Sequence, residues 1–265
     1  MSIVSLTPFD LALAAGLIVL LSIVSWAMHL QLERQLIVAA VRMTVQLLLI
    51  GLVLKALFAN VHPGWMALMA TVMLLAAGRE VMGRQKRGFA GVWGFGMGTL
   101  SMFISSFAIT IVALTVIVGP DPWYEPQYAI PLLGMLLGNT MNGIAIGMDR
   151  LTHAAYEQRT LIEGRLMLGQ SWSKAIEALR SDSIRAGLIP IVNAMMAAGL
   201  VSLPGMMTGQ ILGGNPPMEA VKYQILIMFL IAGGTGLGTM TAVWIGSRRL
   251  FDERHRLRLD RLKIK

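Results

Sequence analysis

Residues 149–185 read DRLTHAAYEQRTLIEGRLMLGQSWSKAIEALRSDSIR, the one long hydrophilic segment in a chain that otherwise consists of long apolar runs. In the middle of this segment apolar residues recur at close to helical spacing, with charged residues between them. Gly164 and Gly169 interrupt that pattern, and Ser171 is well placed to cap a new helix. We therefore predict a helix, a tight turn and a second helix, which a soluble partner could bind. A solvated loop between membrane helices is the alternative.

Composition indicates an integral membrane protein. Of the 265 residues, 55% are hydrophobic and 14% are charged, whereas a soluble domain carries about 25% charged residues. The net charge of +8 comes from lysines and arginines in the linkers between apolar runs, which the positive-inside rule explains without a nucleic-acid partner. The absence of cysteine excludes disulfides and thiolate metal sites.

Seven apolar runs approach the roughly 20 residues needed to cross a bilayer. They cover residues 9–28, 36–58, 64–82, 92–118, 129–148, 186–203 and 219–246. Linkers 79–87, 149–185 and the segment after 247 are basic, whereas 119–128 and 204–218 contain no Lys or Arg. Placing the basic linkers in the cytoplasm puts the amino terminus outside and the carboxyl terminus inside. The sequence thus predicts an all-α, polytopic membrane protein.

This protein is predicted to form a single transmembrane domain over residues 1–265 with three distinctive segments. The cytoplasmic segment is 149–185, and the basic tail 247–265 is expected to rest on the anionic inner leaflet. Residues 203–214 are too short and too rich in glycine to cross the bilayer, so we predict a re-entrant or gate element there. An ordinary outer loop is the alternative for that segment.

Polar side chains within the apolar runs are candidates for a translocation path, because such side chains usually face a cavity or another helix. Hydrogen bonding between helices is the alternative role. The candidates in the spans are Arg42, Gln46, Asn139, Asn142 and Asn193, and those in the gate segment are Met206, Met207, Thr208 and Gln210.

Several kinds of chemistry have no visible site in the sequence. The four histidines lie at span ends or outside the spans, and no carboxylate lies at mid-membrane, so no metal ligands can be assigned. No set of Asp, His and Ser residues is spaced for catalysis, so we do not expect an enzyme. The chain has no Gly-Lys-Ser or Gly-Lys-Thr, and any ATPase that drives it must therefore be a separate polypeptide.

Three motifs carry a resemblance to a known family. Residues 163–169 read EGRLMLG, 137–143 read LGNTMNG, and 199–214 read GLVSLPGMMTGQILGG. The first is similar to half of the Glu-Ala-Ala signature in the cytoplasmic loop of ABC-transporter permeases. Together the three motifs resemble the FetB-type permeases, the membrane subunits of iron-export ABC systems, which are similar to plant aluminium-tolerance permeases.

The resemblance implies a permease of the inner membrane that exports iron or another metal. It implies a cytoplasmic ABC ATPase as partner, with ATP and Mg²⁺ bound to that subunit, and two copies of the permease. The residues implied to contact the ATPase are Glu163, Arg165, Leu168, Gly169, Ser171, Trp172 and Ile176. Direction and stoichiometry stay open, as does a nucleotide sugar in place of a metal. A secondary transporter or channel for a small polar solute is the alternative function.

Overall fold

Helices form most of the structure. It is a computed structural model that describes residues 7–264. The α-helices are α1 (Pro8–Ala27), α2 (Glu33–Ala59), α3 (Pro63–Arg84), α4 (Val92–Met102), α5 (Ala108–Val112), α6 (Pro126–Glu157), α7 (Arg159–Met167), α8 (Trp172–Ala175), α9 (Glu177–Ala197), α10 (Gly205–Leu212) and α11 (Pro217–Arg249). Two π-helical stretches, Phe103–Phe107 and Ala113–Val118, make α4 and α5 parts of one continuous helix. Two short strands, β1 (Arg87–Phe89) and β2 (Leu262–Ile264), pair antiparallel.

Six helices in the described part of the chain are long and apolar enough to cross a membrane. They are α1, α2, α3, the continuous helix Val92–Val118, α6 and α11. The predicted run at 186–203 is different, because it lies on α9 and α9 ends at Ala197. Charged residues occupy the first half of α9, which leaves residues 186–197 as its apolar stretch, short of the roughly 20 residues that a crossing needs. The polytopic membrane architecture is confirmed, with six helices of spanning length.

The described residues group into two compact units. The smaller unit contains residues 7–62 and 212–214. Its main feature is the hairpin of α1 and α2, in which Leu32 donates its backbone N–H to Ser25 Oγ at 3.2 Å. Most apolar side chains on both helices are exposed, and such a surface is suited to contact with lipid.

The larger unit contains residues 63–211 and 215–264 and is organised around α6. Helices α6 and α11 run parallel, as two close contacts show. A Cβ on Gly234 would lie 3.1 Å from Leu136, and one on Gly246 would lie 2.8 Å from Met148. A step of twelve residues toward the carboxyl end of α11 therefore matches a step of twelve residues toward the carboxyl end of α6, so the two helices point in the same direction. Helices that run parallel in a bundle must be joined by a segment that returns across it.

Helix α9 makes that return, packed antiparallel against α6. Arg150 donates to Asp182 at 2.9 Å, while farther along the two helices Gly187 lies against Gly143. A Cβ on Gly187 would lie 2.5 Å from the carbonyl oxygen of Gly143, so the two backbones touch there. Small residues permit such close approach between membrane helices.

The carboxyl-terminal tail folds back onto the larger unit beside the basic linker 79–87. Strand β2 pairs with β1, and Ala90 donates its backbone N–H to the Arg261 carbonyl at 2.8 Å. Leu250 and Phe251 are buried in the main core, and Leu257, Leu259 and Leu262 pack against it. These five apolar side chains therefore contact protein, while contact of the basic tail with the inner leaflet stays a prediction.

Candidate functional site

The hydrophilic segment forms two short helices joined by a tight turn. Helix α6 continues beyond its predicted end at 148 to Glu157, and α7 and α8 follow. Gly169 has a φ of +81°, a conformation that glycine adopts at little cost. Its N–H donates to the Leu166 carbonyl at 3.0 Å and thereby closes the turn. Gly164 lies within α7, so the predicted interruption at that residue is wrong.

Buried contacts fix the base of residues 158–176, which we call the coupling segment for the role that we propose. Ile162 and Ile176 are fully buried in the main core. Arg165 donates from its guanidinium to the Ala175 carbonyl at 3.1 Å and so ties α7 to α8. Ile176 therefore anchors the segment, and Arg165 is partly engaged within it, although both residues were expected to contact a partner.

The carboxyl-terminal tail braces α8 through Trp172. The indole packs on Phe251 with ring centroids 5.9 Å apart, and the Arg248 guanidinium lies 5.3 Å from the indole. The backbone N–H of Trp172 donates to Nδ1 of His255 at 3.2 Å. Ser171 occupies the N-cap position as predicted, but its side chain makes no capping hydrogen bond. The brace holds the start of α8 in place.

The turn of the coupling segment presents an exposed apolar tip. Met167 is 88% exposed and Leu168 is 83% exposed. Glu163 is exposed on α7, beside this tip in sequence. Adjacent exposed apolar side chains outside the spanning helices are candidates for a surface that another protein covers. Of the predicted contact residues, four are exposed and Trp172 is half-buried; the exposed ones are Glu163, Leu168, Gly169 and Ser171.

A cavity of about 470 Å³ lies at the opposite end of the larger unit, near the start of α6 and α11. Two of the predicted path residues, Met206 and Gln210 of α10, line this cavity, which we call the outer cavity for the orientation that we propose. Gln210 Oε1 is buried there and has no hydrogen-bond partner within the described residues. The outer cavity is also lined by Gln127, Tyr128, Met135, Asn215, Glu219 and Tyr223. It could therefore hold a polar solute by hydrogen bonds and thioether contacts.

Asn142 lies in a second cavity of about 370 Å³, which we call the inner cavity for the same proposed orientation. The Arg84 guanidinium donates to Asn142 Oδ1, and Lys86 donates its backbone N–H to Asp149 at 2.8 Å. Arg84 was assigned to a linker from the sequence, but α3 extends to this residue and brings it to α6. The inner cavity thus contains Arg84 and Arg150 beside one carboxylate, Asp149.

The remaining predicted path residues do not converge on one site. Asn139 donates to the Met135 carbonyl of its own helix at 2.8 Å, and Asn193 lines a third cavity of about 420 Å³. Thr208 donates to the Pro204 carbonyl at 3.3 Å. Met207 is half-buried, and Arg42 and Gln46 are exposed on α2 in the smaller unit. Among residues 7–264 no group of three or more His, Asp or Glu side chains could hold a metal ion.

Comparison with known proteins assigns residues 8–251 to one family model, described as "Uncharacterised protein family (UPF0014)". The UPF0014 membrane protein slr1647 of Synechocystis sp. is 40% identical, over 86% of this chain and 87% of that protein. The "Probable iron export permease protein FetB" of Escherichia coli is 33% identical over 98% of both chains. ALUMINUM SENSITIVE 3 of Arabidopsis thaliana is 31% identical, over 92% of this chain and 88% of its own length. No solved structure matches. The resemblance to FetB-type membrane permeases is confirmed.

Proposed function

Because the chain belongs to the UPF0014 family, we propose that it is the permease subunit of an ABC transporter, driven by a separate cytoplasmic ATPase. The observation that carries this proposal is the exposed Met167–Leu168 tip on a buried, braced base. A surface of that kind can transmit force, since its base cannot yield without disrupting the main core. ATP and Mg²⁺ would bind the partner, and closure of that partner would shift the permease between two states.

Export of iron or another metal is the transport reaction that we propose, on the strength of the FetB relative. The charges in the inner cavity indicate in which chemical form the metal would be transported. Arg84, Arg150 and one carboxylate, Asp149, line this cavity. Arg150 is already paired with Asp182 at 2.9 Å, so Arg84 and Asp149 leave this lining close to neutral. A lining without excess negative charge disfavours a bare cation and suits a metal held in a neutral complex. The outer cavity would then accept the cargo next, with α10 acting as the gate over it.

Metal efflux tests this function directly. In cells loaded with iron we expect faster loss of cellular iron when the permease and its ATPase are both present than when either is missing. The measurement is total cell iron over time, and an ATPase inactivated in its nucleotide site is the matched control. Efflux that persists with the inactive ATPase and follows an ion gradient would instead support a secondary transporter.

We also propose seven crossings, with the amino terminus outside and the coupling segment in the cytoplasm. Parallel α6 and α11 support this arrangement, because the chain between them must return across the membrane and α9 makes most of that return. The segment from Ala198 to Pro216 would complete the crossing at the outer face.

We propose that two copies of the permease assemble. Such a dimer would allow the exposed amides of Gln46, Asn142 and Asn193 to face protein or water instead of lipid.

Labelling of introduced cysteines checks the topology cleanly, since the natural chain contains no cysteine. Leu200, between α9 and α10, is 91% exposed, and Gln170 is exposed in the turn of the coupling segment. An impermeant maleimide added to intact cells should label Leu200→Cys, whereas Gln170→Cys should react only after the membrane is opened. The reverse pattern would contradict the proposed orientation. Equal labelling of both in intact cells would contradict the proposed crossing by α9.

A further inference from the structure

A strongly basic basin lies where α11 meets the carboxyl-terminal tail. It has a volume of about 610 Å³. Five arginines line it, namely Arg248, Arg249, Arg254, Arg256 and Arg261. Only two carboxylates, those of Asp252 and Glu253, share this lining. The basin therefore carries a net positive charge of three, if each side chain has its usual charge.

The carboxylates do not neutralise these arginines. Asp252 accepts hydrogen bonds from the backbone N–H groups of Arg256 and Arg254, at 2.8 and 2.9 Å. These bonds, that of Arg256 first, lower the pKa of Asp252. Within the described residues, no guanidinium of the five lies at ion-pair distance from a carboxylate. The lining of the basin therefore keeps an excess of positive charge.

The five arginines have different roles. Arg248 and Arg261 donate to backbone carbonyls of the tail and so belong to its fold. The guanidinium of Arg249 lies 4.5 Å from the ring of Trp93, while Arg254 and Arg256 have exposed side chains. Arg254 and Arg256 are therefore available to bind an anion, and Arg249 is held beside Trp93 in the same lining.

An apolar groove of about 440 Å³ continues from the basin along the membrane helix α4. The two cavities share Trp93 and Ile245 as lining residues. The groove extends over Gly96 to Leu100, and its lining is almost wholly apolar. Gly96 opens it, because no atom lies within 4 Å of a Cβ built at that position. From Val92 to Leu100 the helix rises about 12 Å, most of the depth of one leaflet.

We propose that the basin and the groove together bind one anionic phospholipid. Its phosphate would lie among Arg249, Arg254 and Arg256, and one acyl chain would lie in the groove along α4. Two exposed tryptophans, Trp93 and Trp244, flank the basin, as expected at the depth of lipid headgroups. Free phosphate or an acidic protein would use the basin but not the groove, which is why the lipid is the preferred occupant. Basic pockets between membrane helices on the cytoplasmic side commonly bind such headgroups.

Lipid retention by the purified permease tests this site. Delipidated protein in detergent is titrated with phosphatidylglycerol, with phosphatidylcholine of the same acyl chains, and with inorganic phosphate, and bound lipid is measured by native mass spectrometry. We expect tight binding of phosphatidylglycerol only. The double variant Arg254→Gln/Arg256→Gln should weaken it by about fivefold per arginine. The matched control is Arg159→Gln/Lys174→Gln, which removes the same charge from exposed sites on the coupling segment and should leave binding unchanged.

A second variant separates a lipid from a free anion. Gly96→Leu fills the groove without touching an arginine, and it should weaken phosphatidylglycerol binding. The same substitution at Gly51, which is exposed on α2 with no atom within 4 Å of its added Cβ, should have no effect. Equal binding by the arginine variant and the natural protein would overturn the proposal. Binding of inorganic phosphate as tight as that of the lipid would also overturn the proposal. The same holds if the arginine variants no longer bind the ATPase but still bind the lipid.

Discussion

Leu168→Asp is expected to abolish stimulation of the partner ATPase and to stop transport while the permease stays folded. Leu168 is 83% exposed, so the substitution removes no internal contact. A charge placed in an apolar docking cleft leaves an unpaired buried carboxylate, which costs several kcal/mol of binding free energy. ATP hydrolysis by the reconstituted complex, together with thermal unfolding of the permease alone, measures both parts of this prediction.

Gln170→Asp is the matched control for Leu168→Asp. It places the same charge on the same exposed turn but leaves the apolar tip intact, so hydrolysis should change little. Trp172→Ala is expected to act differently, because Trp172 packs on Phe251 and its loss should lower the stability of the permease itself. Full stimulated hydrolysis by the Leu168→Asp complex would remove the coupling segment from the proposed mechanism.

Gly187→Ala is expected to destabilise the helix bundle by about 3 kcal/mol, a large effect for one methyl group. The added Cβ would lie 2.5 Å from the Gly143 carbonyl oxygen and 2.7 Å from Thr239 Cγ2. A carbonyl cannot rotate away as a flexible side chain can, so α6 and α9 would have to separate. Thermal unfolding in detergent measures the loss.

The same substitution at Gly138 of α6 is the control for Gly187→Ala. No atom lies within 4 Å of a Cβ built at Gly138, and alanine is favoured over glycine in a helix by roughly 0.5–1 kcal/mol. Gly138→Ala should therefore leave stability unchanged or raise it slightly. Similar unfolding temperatures for the two variants would show that the contact between α6 and α9 does not limit stability.

Length and hydropathy predicted most of the membrane helices, because a lipid environment imposes both. The ends of the helices were harder to predict. Helix α6 continues to Glu157 because Leu151 and Ala155 are buried against the main core, which composition alone does not reveal. At α9 the run of apolar residues to 203 suggested a full span, but the helix ends at Ala197 before the turn at Gly199.

Contacts between distant parts of the chain could not be predicted from local patterns. A tail of arginines and leucines suits a lipid surface as well as a protein surface, and only contacts in the folded chain, such as the pairing of β2 with β1, distinguish the two. The bond from Trp172 to His255 joins segments 83 residues apart. In the same way, the amides Asn139, Asn142 and Asn193 share a polar character, but helix packing assigns them to different surroundings.

Helix α6 is one unbroken rod of 32 residues that begins at the outer cavity and ends where the coupling segment starts. Its weakest point is Pro131, which lines that cavity and lacks the N–H that would bond one turn back. If the coupling segment transmits motion as we propose, movement at the Glu157 end of α6 is expected to bend the helix at Pro131. Such a bend would change the shape of the cavity that Pro131 lines.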